Sequence, residues 1–369
     1  MRIDRVDIIQ IQMPVVRPYE TSYGTVDKFD RLVLKFYTAD FPVYTDCASG
    51  SLIGFSYETL GTARDVLKNH ILPAVMGKTI NGPEDFPRLC KGLPGHPMAK
   101  ASVENAFWIL KAMALNVSLA ELIGNRRDRL EAGAGVGIQR TPEELIDLVG
   151  KYLNQGYTKI KMKIKPGVDR ERIEAVRKSY PEISLMVDAN NAYSTADIDA
   201  LKDLDQFGLL MIEQPLEEDN ILGHAKLQAG IKTPVGLDES IRSPFLARMA
   251  IEMKACRCIN IKQCRVGGLA QAIEIHDICR KNGVGVWCGG MMETGPGRAV
   301  LLALSGLPNF IYPLDIGDSH KYFFRDIISP PFTLNDDATL TVPRGTGLGV
   351  DVDEKALEDF TVAREILRV

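Results

Sequence analysis

Residues 158–164 read TKIKMKI, 184–189 SLMVDA, 209–214 LLMIEQ, 234–239 PVGLDE and 258–262 CINIK. Each run is short, apolar and rich in β-forming residues, and each carries a charge at or near its end: Lys163, Asp188, Glu213, Asp238 and Lys262. The intervals between these charges are 25, 25, 25 and 24 residues, the length of one strand and its returning helix. The runs AGVGI (134–138) and VGVWC (284–288) extend the series in both directions. Amphipathic stretches fill the gaps and open on helix-start signals: Thr141-Pro142-Glu143-Glu144, Ser194-Thr195-Ala196-Asp197 and Ser243-Pro244. In each, a hydroxyl precedes a proline or an acid in the first turn. Strand–helix repetition of this kind implies parallel strands with helical crossovers. An α/β barrel with all five charges at one mouth is the expected result, because such barrels carry their chemistry at the C-terminal ends of the strands. An open doubly wound sheet is the competing architecture. Against it, the glycines of GAGVGI lie within a strand and do not open a helix, so they make no dinucleotide loop.

The flanks read differently. Up to about residue 60 the chain is a meander of strands, RVDIIQIQM and RLVLKFYTA joined through ETSYGT. Residues 61–124 are mostly helical, and after about 320 the alternation gives way to Pro- and Gly-containing irregular sequence. We expect an N-terminal α+β domain over 1–128, a barrel over 129–320 and a tail, 321–369, that returns to the first domain. At 369 residues the chain is long enough for two domains. Its 45% hydrophobic and 25% charged residues exclude disorder. The net charge of 44 − 48 = −4, with no long basic run, argues against nucleic acid as a partner. No apolar stretch is long enough for a membrane helix, and the N-terminus lacks a secretory pattern. The 7 cysteines contain no CxxC pair, which suggests neither a disulfide framework nor a zinc site. A cytoplasmic protein is expected.

A single charge at a strand end needs no functional explanation. Five in phase do, because each follows directly on apolar residues, where burial is costly unless the charge is paired or metal-bound. Three converging carboxylates repel one another unless a cation joins them. Oxygen ligands with no accompanying His or Cys favour Mg²⁺, with Mn²⁺ as the alternative. Two lysines across that cation would have lowered pKa values, so one can act as base and the other as acid. Such a set suits abstraction of a proton beside a carboxylate. The mismatch between that proton and a lysine is many pK units at about 1.4 kcal/mol each. One charged hydrogen bond, at roughly 1.5–3 kcal/mol, cannot close it, whereas a metal ion on the developing enediolate can.

At these positions the sequence resembles the enolase superfamily, muconate-lactonizing-enzyme subgroup, and within it the branch of N-succinylamino acid racemases and o-succinylbenzoate synthases. The resemblance covers nearly the whole chain. It runs through TSYGT (21–25), GHPMAKASVENAFW (95–108), KMK (161–163), DANNAY (188–193), IEQPL (212–216), LDES (237–240), NIKQCRVGGL (260–269), VWCGGMMETGPGRA (286–299) and GLGV (347–350). It implies a modified TIM barrel, (β/α)7β, under a capping domain completed by the C-terminal segment. Sites with a lysine base beside Mg²⁺ are a known device of that superfamily. By resemblance, Asp188, Glu213 and Asp238 bind the metal and Lys163 and Lys262 are bases on opposite faces of the substrate. Lys161, Asn190, Arg265, Tyr23, Tyr57 and Glu293 contact substrate, and Glu239 supports the metal site. The reaction implied is racemisation of N-succinyl or other N-acyl amino acids; the alternatives are o-succinylbenzoate synthesis, or a divergent cycloisomerase or acid racemase. The partners implied are a small carboxylate substrate and further copies of the chain.

The sequence also departs from that family's pattern. Gly135 stands where a substrate-binding serine is usual, and Gln263-Cys264 where Pro-Gly is usual. Pro296 replaces an isoleucine, Leu314-Asp315-Ile316-Gly317 replaces Gly-Asp-x-Ser, and TDCASGS (45–51) replaces a Trp-Gly-Glu segment. These changes bear on the substrate, since every proposed ligand and lysine is retained. His96, Cys288, Phe107 and Trp108 read as structural, and Gly289-Gly290 as a place of close backbone approach.

Overall fold

The computed structural model describes residues 1–21, 24–51, 56–167 and 169–369. Seven parallel strands follow one another in chain order: Gly133–Val136, Lys159–Lys163, Ser184–Asp188, Ile212–Glu213, Val235–Leu237, Cys258–Asn260 and Gly285–Trp287. They coincide with the seven apolar runs but are shorter, because the residues after each run turn outward to build the mouth. Thr141 and Ser243 cap the helices Pro142–Asn154 and Pro244–Glu252 by accepting from Glu144 N and Leu246 N, as their hydroxyls require.

The sheet closes through residues 310–315. Parallel bridges join Ala132 to Leu314, Val286 to Phe310 and Gly289 to Asp315. Gly133 N donates to Leu314 O at 2.7 Å, and Asp315 N to Cys288 O at 3.2 Å. This segment is therefore the eighth staff of a barrel, reduced to isolated bridges around Pro313, which has no N–H to donate. Inside lie Met186, Met211, Cys258 and Trp287, all buried, together with Lys159. The Lys159 ammonium donates to Pro313 O at 2.7 Å and stands 4.4 Å from the Trp287 ring. Burial pushes it down to about 8. Gly133 makes the room, since a Cβ there would lie 2.2 Å from Lys159 Cε.

Above the mouth sits an antiparallel sheet of Arg5–Thr21, Gly24–Tyr37 and Pro42–Cys47, to which Thr361–Arg368 adds as an edge strand beside the first. The helix Pro97–Ala114 ties this layer to the barrel. Phe107 on it is fully buried; Trp108 is half-buried and donates to Glu104 at 2.6 Å. Glu104 also accepts from Leu269 N and Ala270 N, at 2.8 and 3.1 Å, where the helix Leu269–Lys281 begins. His96 precedes the tie helix in the left-handed region, φ 50°. No helix among the described residues is long and apolar enough to cross a membrane.

Burial raises Glu104 from 4.5 to about 7, against the pull of its three donors. A carboxyl raised on folding stabilises the native state fully below its unfolded pKa and loses that contribution as pH rises through the folded value. Subtracting the stability of a Glu104→Gln variant from that of the wild type isolates this group. The difference should fall by about 3 kcal/mol between pH 4.5 and 7. Urea melts of both proteins across that range check it, and a flat difference rejects it.

Candidate active site

Each of the five spaced charges sits at a strand's C-terminal end or within two residues of it, and the register aligns them: Lys163 pairs with Asp188, and Asp188 with Glu213. Lys163 and Lys262 follow the second and sixth of eight staves, four steps apart in either direction, so they face each other across the mouth. The left-handed turns at Asn190 (φ 43°) and Gln214 (φ 37°) take the chain sharply off the strands and leave the acids pointing inward.

The acids are buried and met by cations. Lys163 Nζ donates to Asp188 Oδ2 at 2.7 Å and also to Asn190 Oδ1. Lys161 Nζ lies 2.5 Å from Asp315 Oδ2, 3.3 Å from Asp188 Oδ2 and 3.6 Å from Glu213 Oε2. Across the mouth, Lys262 Nζ donates to Asp238 Oδ2 at 2.8 Å, and Arg265 pairs with Asp238 Oδ1. Burial opposes ionisation of Asp188, but Lys163 and Lys161 outweigh it and hold the carboxyl below its ordinary value. Arg265 and Lys262 do the same for Asp238. Glu213 goes the other way: burial and the neighbouring charges of Asp188 and Asp238 push it well up. Its Oε1 accepts from Asn260 Nδ2 at 2.7 Å, while its Oε2 has no hydrogen-bond partner. As they stand, no three Asp, Glu, His or Cys side chains among the described residues are grouped closely enough to hold a metal ion.

Supporting groups complete the mouth. Asn190 Nδ2 donates to Glu239 Oε1 at 3.0 Å, and Glu239 is raised by burial and by Asp238. Gln214 Oε1 accepts from Asp238 N and Ser240 N at 2.9 and 3.1 Å and so fixes the loop carrying Asp238. Asn260 Oδ1 accepts from Gly289 N at 2.7 Å, and a Cβ at Gly289 would lie 2.6 Å from Asn260 Nδ2. Gln214, Asn260 and Asp315 make contacts with the candidate site residues and have no assigned role in the sequence analysis. For Gln214 and Asn260 the signal was a polar residue on or just beyond a buried strand.

A cavity of 730 Å³ opens between the mouth and the overlying layer. Lys161, Lys163, Asp188, Asn190, Lys262 and Glu293 line it from below, with Gly135 and Asp315. Glu213, Asp238, Glu239 and Arg265 are not on its wall. Tyr57 is 62% exposed and is not on its wall, while its neighbours Ser56 and Glu58 face the cavity. Tyr23 lies outside the described residues. Of the departures in sequence, Gly135, Asp315 and Ile316 face the cavity, as do Ala48, Gly50 and Ser51 of the TDCASGS segment. Gln263, Cys264 and Pro296 are buried off its wall, with Pro296 in the first turn of the helix Gly295–Ser305.

The chain is similar to known proteins from end to end. Residues 5–124 match the mandelate racemase / muconate lactonizing enzyme N-terminal domain, and 144–356 the enolase C-terminal domain-like family. An N-succinylamino acid racemase from Amycolatopsis is 42% identical over 366 residues, covering 99% of both chains. An o-succinylbenzoate synthase from Geobacillus kaustophilus is 40% identical over 362 residues, covering 98% of this chain and 96% of the other. Among solved structures, an enolase superfamily member from Listeria innocua superposes with a TM-score of 0.96 at 38% identity, covering 100% of this chain and 99% of that one. With both parts matched and relatives this similar end to end, the chain belongs to the mandelate racemase / muconate lactonizing enzyme family of the enolase superfamily.

Proposed function

We propose that this protein takes the α-proton from an N-acyl amino acid, N-succinyl foremost, and returns one to the opposite face, so racemising it. The observation that carries the reading is the placement of Lys163 and Lys262 on opposed staves of one mouth, each within hydrogen-bond reach of a different buried aspartate. One lysine takes the proton at Nζ while the other, protonated, delivers its own. Asp188 and Asp238 set the two ammonium groups at fixed positions, and Asn190 steadies Lys163. Lys161, held by Asp315 on the cavity wall, is placed to receive the substrate carboxylate.

Asp188, Glu213 and Asp238 have the donor chemistry of a hard divalent cation site, and would hold the ion by drawing closer together than they now stand. They offer oxygen alone, Glu213 keeps a buried oxygen without a hydrogen-bond partner, and the Lys161 ammonium stands as a positive charge within 3.6 Å of two of them. Mg²⁺ held there would offset the negative charge that grows on the substrate carboxylate as the proton leaves. A second reading, syn-dehydration to o-succinylbenzoate, is favoured by the relatives that bear the synthase name. It uses the same proton abstraction and differs in whether the substrate carries a β-leaving group.

The test is incubation with Mg²⁺ in D₂O and N-succinyl and N-acetyl amino acids of both hands, followed by mass spectrometry and polarimetry. Uptake of α-deuterium with decay of optical rotation from either hand is the expected result. Absence of exchange with every N-acyl amino acid, alongside dehydration of the synthase precursor, would leave the second reading in place.

A further inference from the structure

The upper wall of the cavity holds a cation that proton transfer does not use. Arg31, in the strand Gly24–Tyr37, lines the cavity and is only 8% exposed. Its guanidinium lies 4.1 Å over the Phe29 ring. One terminal nitrogen donates to Asp30 O at 2.8 Å and the other to Met291 O at 2.6 Å, while Nε is buried with no hydrogen-bond partner. A guanidinium has five N–H donors in a rigid fork, so three remain after these two bonds.

The acids in its field are already engaged. Asp46 Oδ2 accepts from Thr294 N and Oγ1 at 2.8 and 2.9 Å, and Glu293 Oε2 from Met291 N at 2.7 Å. Burial pushes Asp46 up to about 7 and also raises Glu293. Burial lowers Arg31 itself from its ordinary value, with Asp46 and Glu293 pulling the other way, the mark of a cation short of solvent. The neighbouring chain makes room for it. Gly50 has no side chain, and a Cβ there would sit 2.9 Å from one terminal nitrogen of Arg31. Met291 links this place to the mouth below: its carbonyl receives Arg31, and its Sδ lies 4.0 Å from Arg265, the partner of Asp238.

We propose that Arg31 is the specificity-determining residue of the site, its ring-stacked guanidinium receiving the distal carboxylate of a dicarboxylate substrate whose reacting end lies at the lysines. The terminal carboxylate of an N-succinyl group is such a group, and a neutral N-acetyl group brings Arg31 nothing. The reaction is taken from the function proposed above; the charge matching requires only a second carboxylate.

The test compares wild type, Arg31→Met and Gly50→Ala with N-succinyl and N-acetyl derivatives of one amino acid. Turnover is measured with Mg²⁺, and binding by calorimetry with N-succinylglycine and N-acetylglycine. Arg31→Met should lower kcat/KM for the N-succinyl substrate, and weaken N-succinylglycine, by about ten- to a hundredfold, the loss of charge-assisted hydrogen bonds. The N-acetyl probes should change by less than about twofold. Gly50→Ala keeps the charge but displaces the fork, and should give a smaller loss with the same selectivity; only the far end of a flexible side chain has to move, so this variant folds. Equal losses on both acyl groups, or none on either, overturn the proposal. Were the wild type to turn over neither substrate, the racemase reading would fail, while the two glycine derivatives would still decide the role of Arg31.

Discussion

Replacing Lys163 or Lys262 by alanine is expected to lower racemisation by about a thousandfold or more, within the range that positioned acid–base groups contribute. The two variants should differ in what survives. A lysine serves one face, so each variant keeps slow deuterium exchange from one hand of the substrate and loses it from the other, with the hand reversed between them. Neither change strands a buried aspartate. Without Lys163, Asp188 retains Lys161 at 3.3 Å; without Lys262, Asp238 retains Arg265. Folding should therefore persist, and circular dichroism beside the exchange assay separates lost chemistry from lost structure. Exchange of both hands in either variant would refute two-base transfer.

Glu213→Gln is expected to act in opposite directions on metal binding and on the metal-free fold. A ligand that binds only the native state stabilises it by about 2.7 kcal/mol at a hundred times its Kd. The wild type should show a rise in Tm of that origin with Mg²⁺, and the variant should lose most of it. Without metal the sign reverses. Glu213 is held well above its ordinary value by burial and by Asp188 and Asp238, so its contribution to stability is present at low pH and lost as pH rises. Glutamine keeps the shape and the bond from Asn260 and never acquires the charge. The metal-free variant should melt no lower than the wild type at neutral pH. A Tm that falls equally with and without Mg²⁺ would count against Glu213 as a ligand.

The barrel was legible because its signal is redundant. Seven apolar runs, helix caps between them and five charges in phase all point to one architecture. The closing staff was not, because residues 310–315 carry Pro313 and form only isolated bridges, with no run of β-formers to read. The edge strand Thr361–Arg368 escaped for a related reason: five of its eight residues are exposed, so no apolar face marks it. At the site, the charges that end strands could be found by counting. Gln214 and Asn260 could not, since one amide on or just beyond a buried strand has the same appearance whether it holds a loop or fills a gap. Arg31 starts the run RLVLKFYTA, where no motif or spacing singles it out; only the tertiary structure reveals that a phenylalanine ring, a carbonyl and the absence of a side chain at Gly50 enclose it.

Lys159, Lys161 and Lys163 alternate with Ile160 and Met162, so all three inward positions share one parity of the chain. A single residue added or removed within Lys159–Lys163 would reverse that parity. Isoleucine and methionine would then face the mouth, and ammonium groups the apolar layer behind the sheet. Substitutions here are graded in their effect, whereas a one-residue insertion or deletion is all or nothing. The length of this strand is therefore fixed by the pleat that sorts its side chains to the two faces.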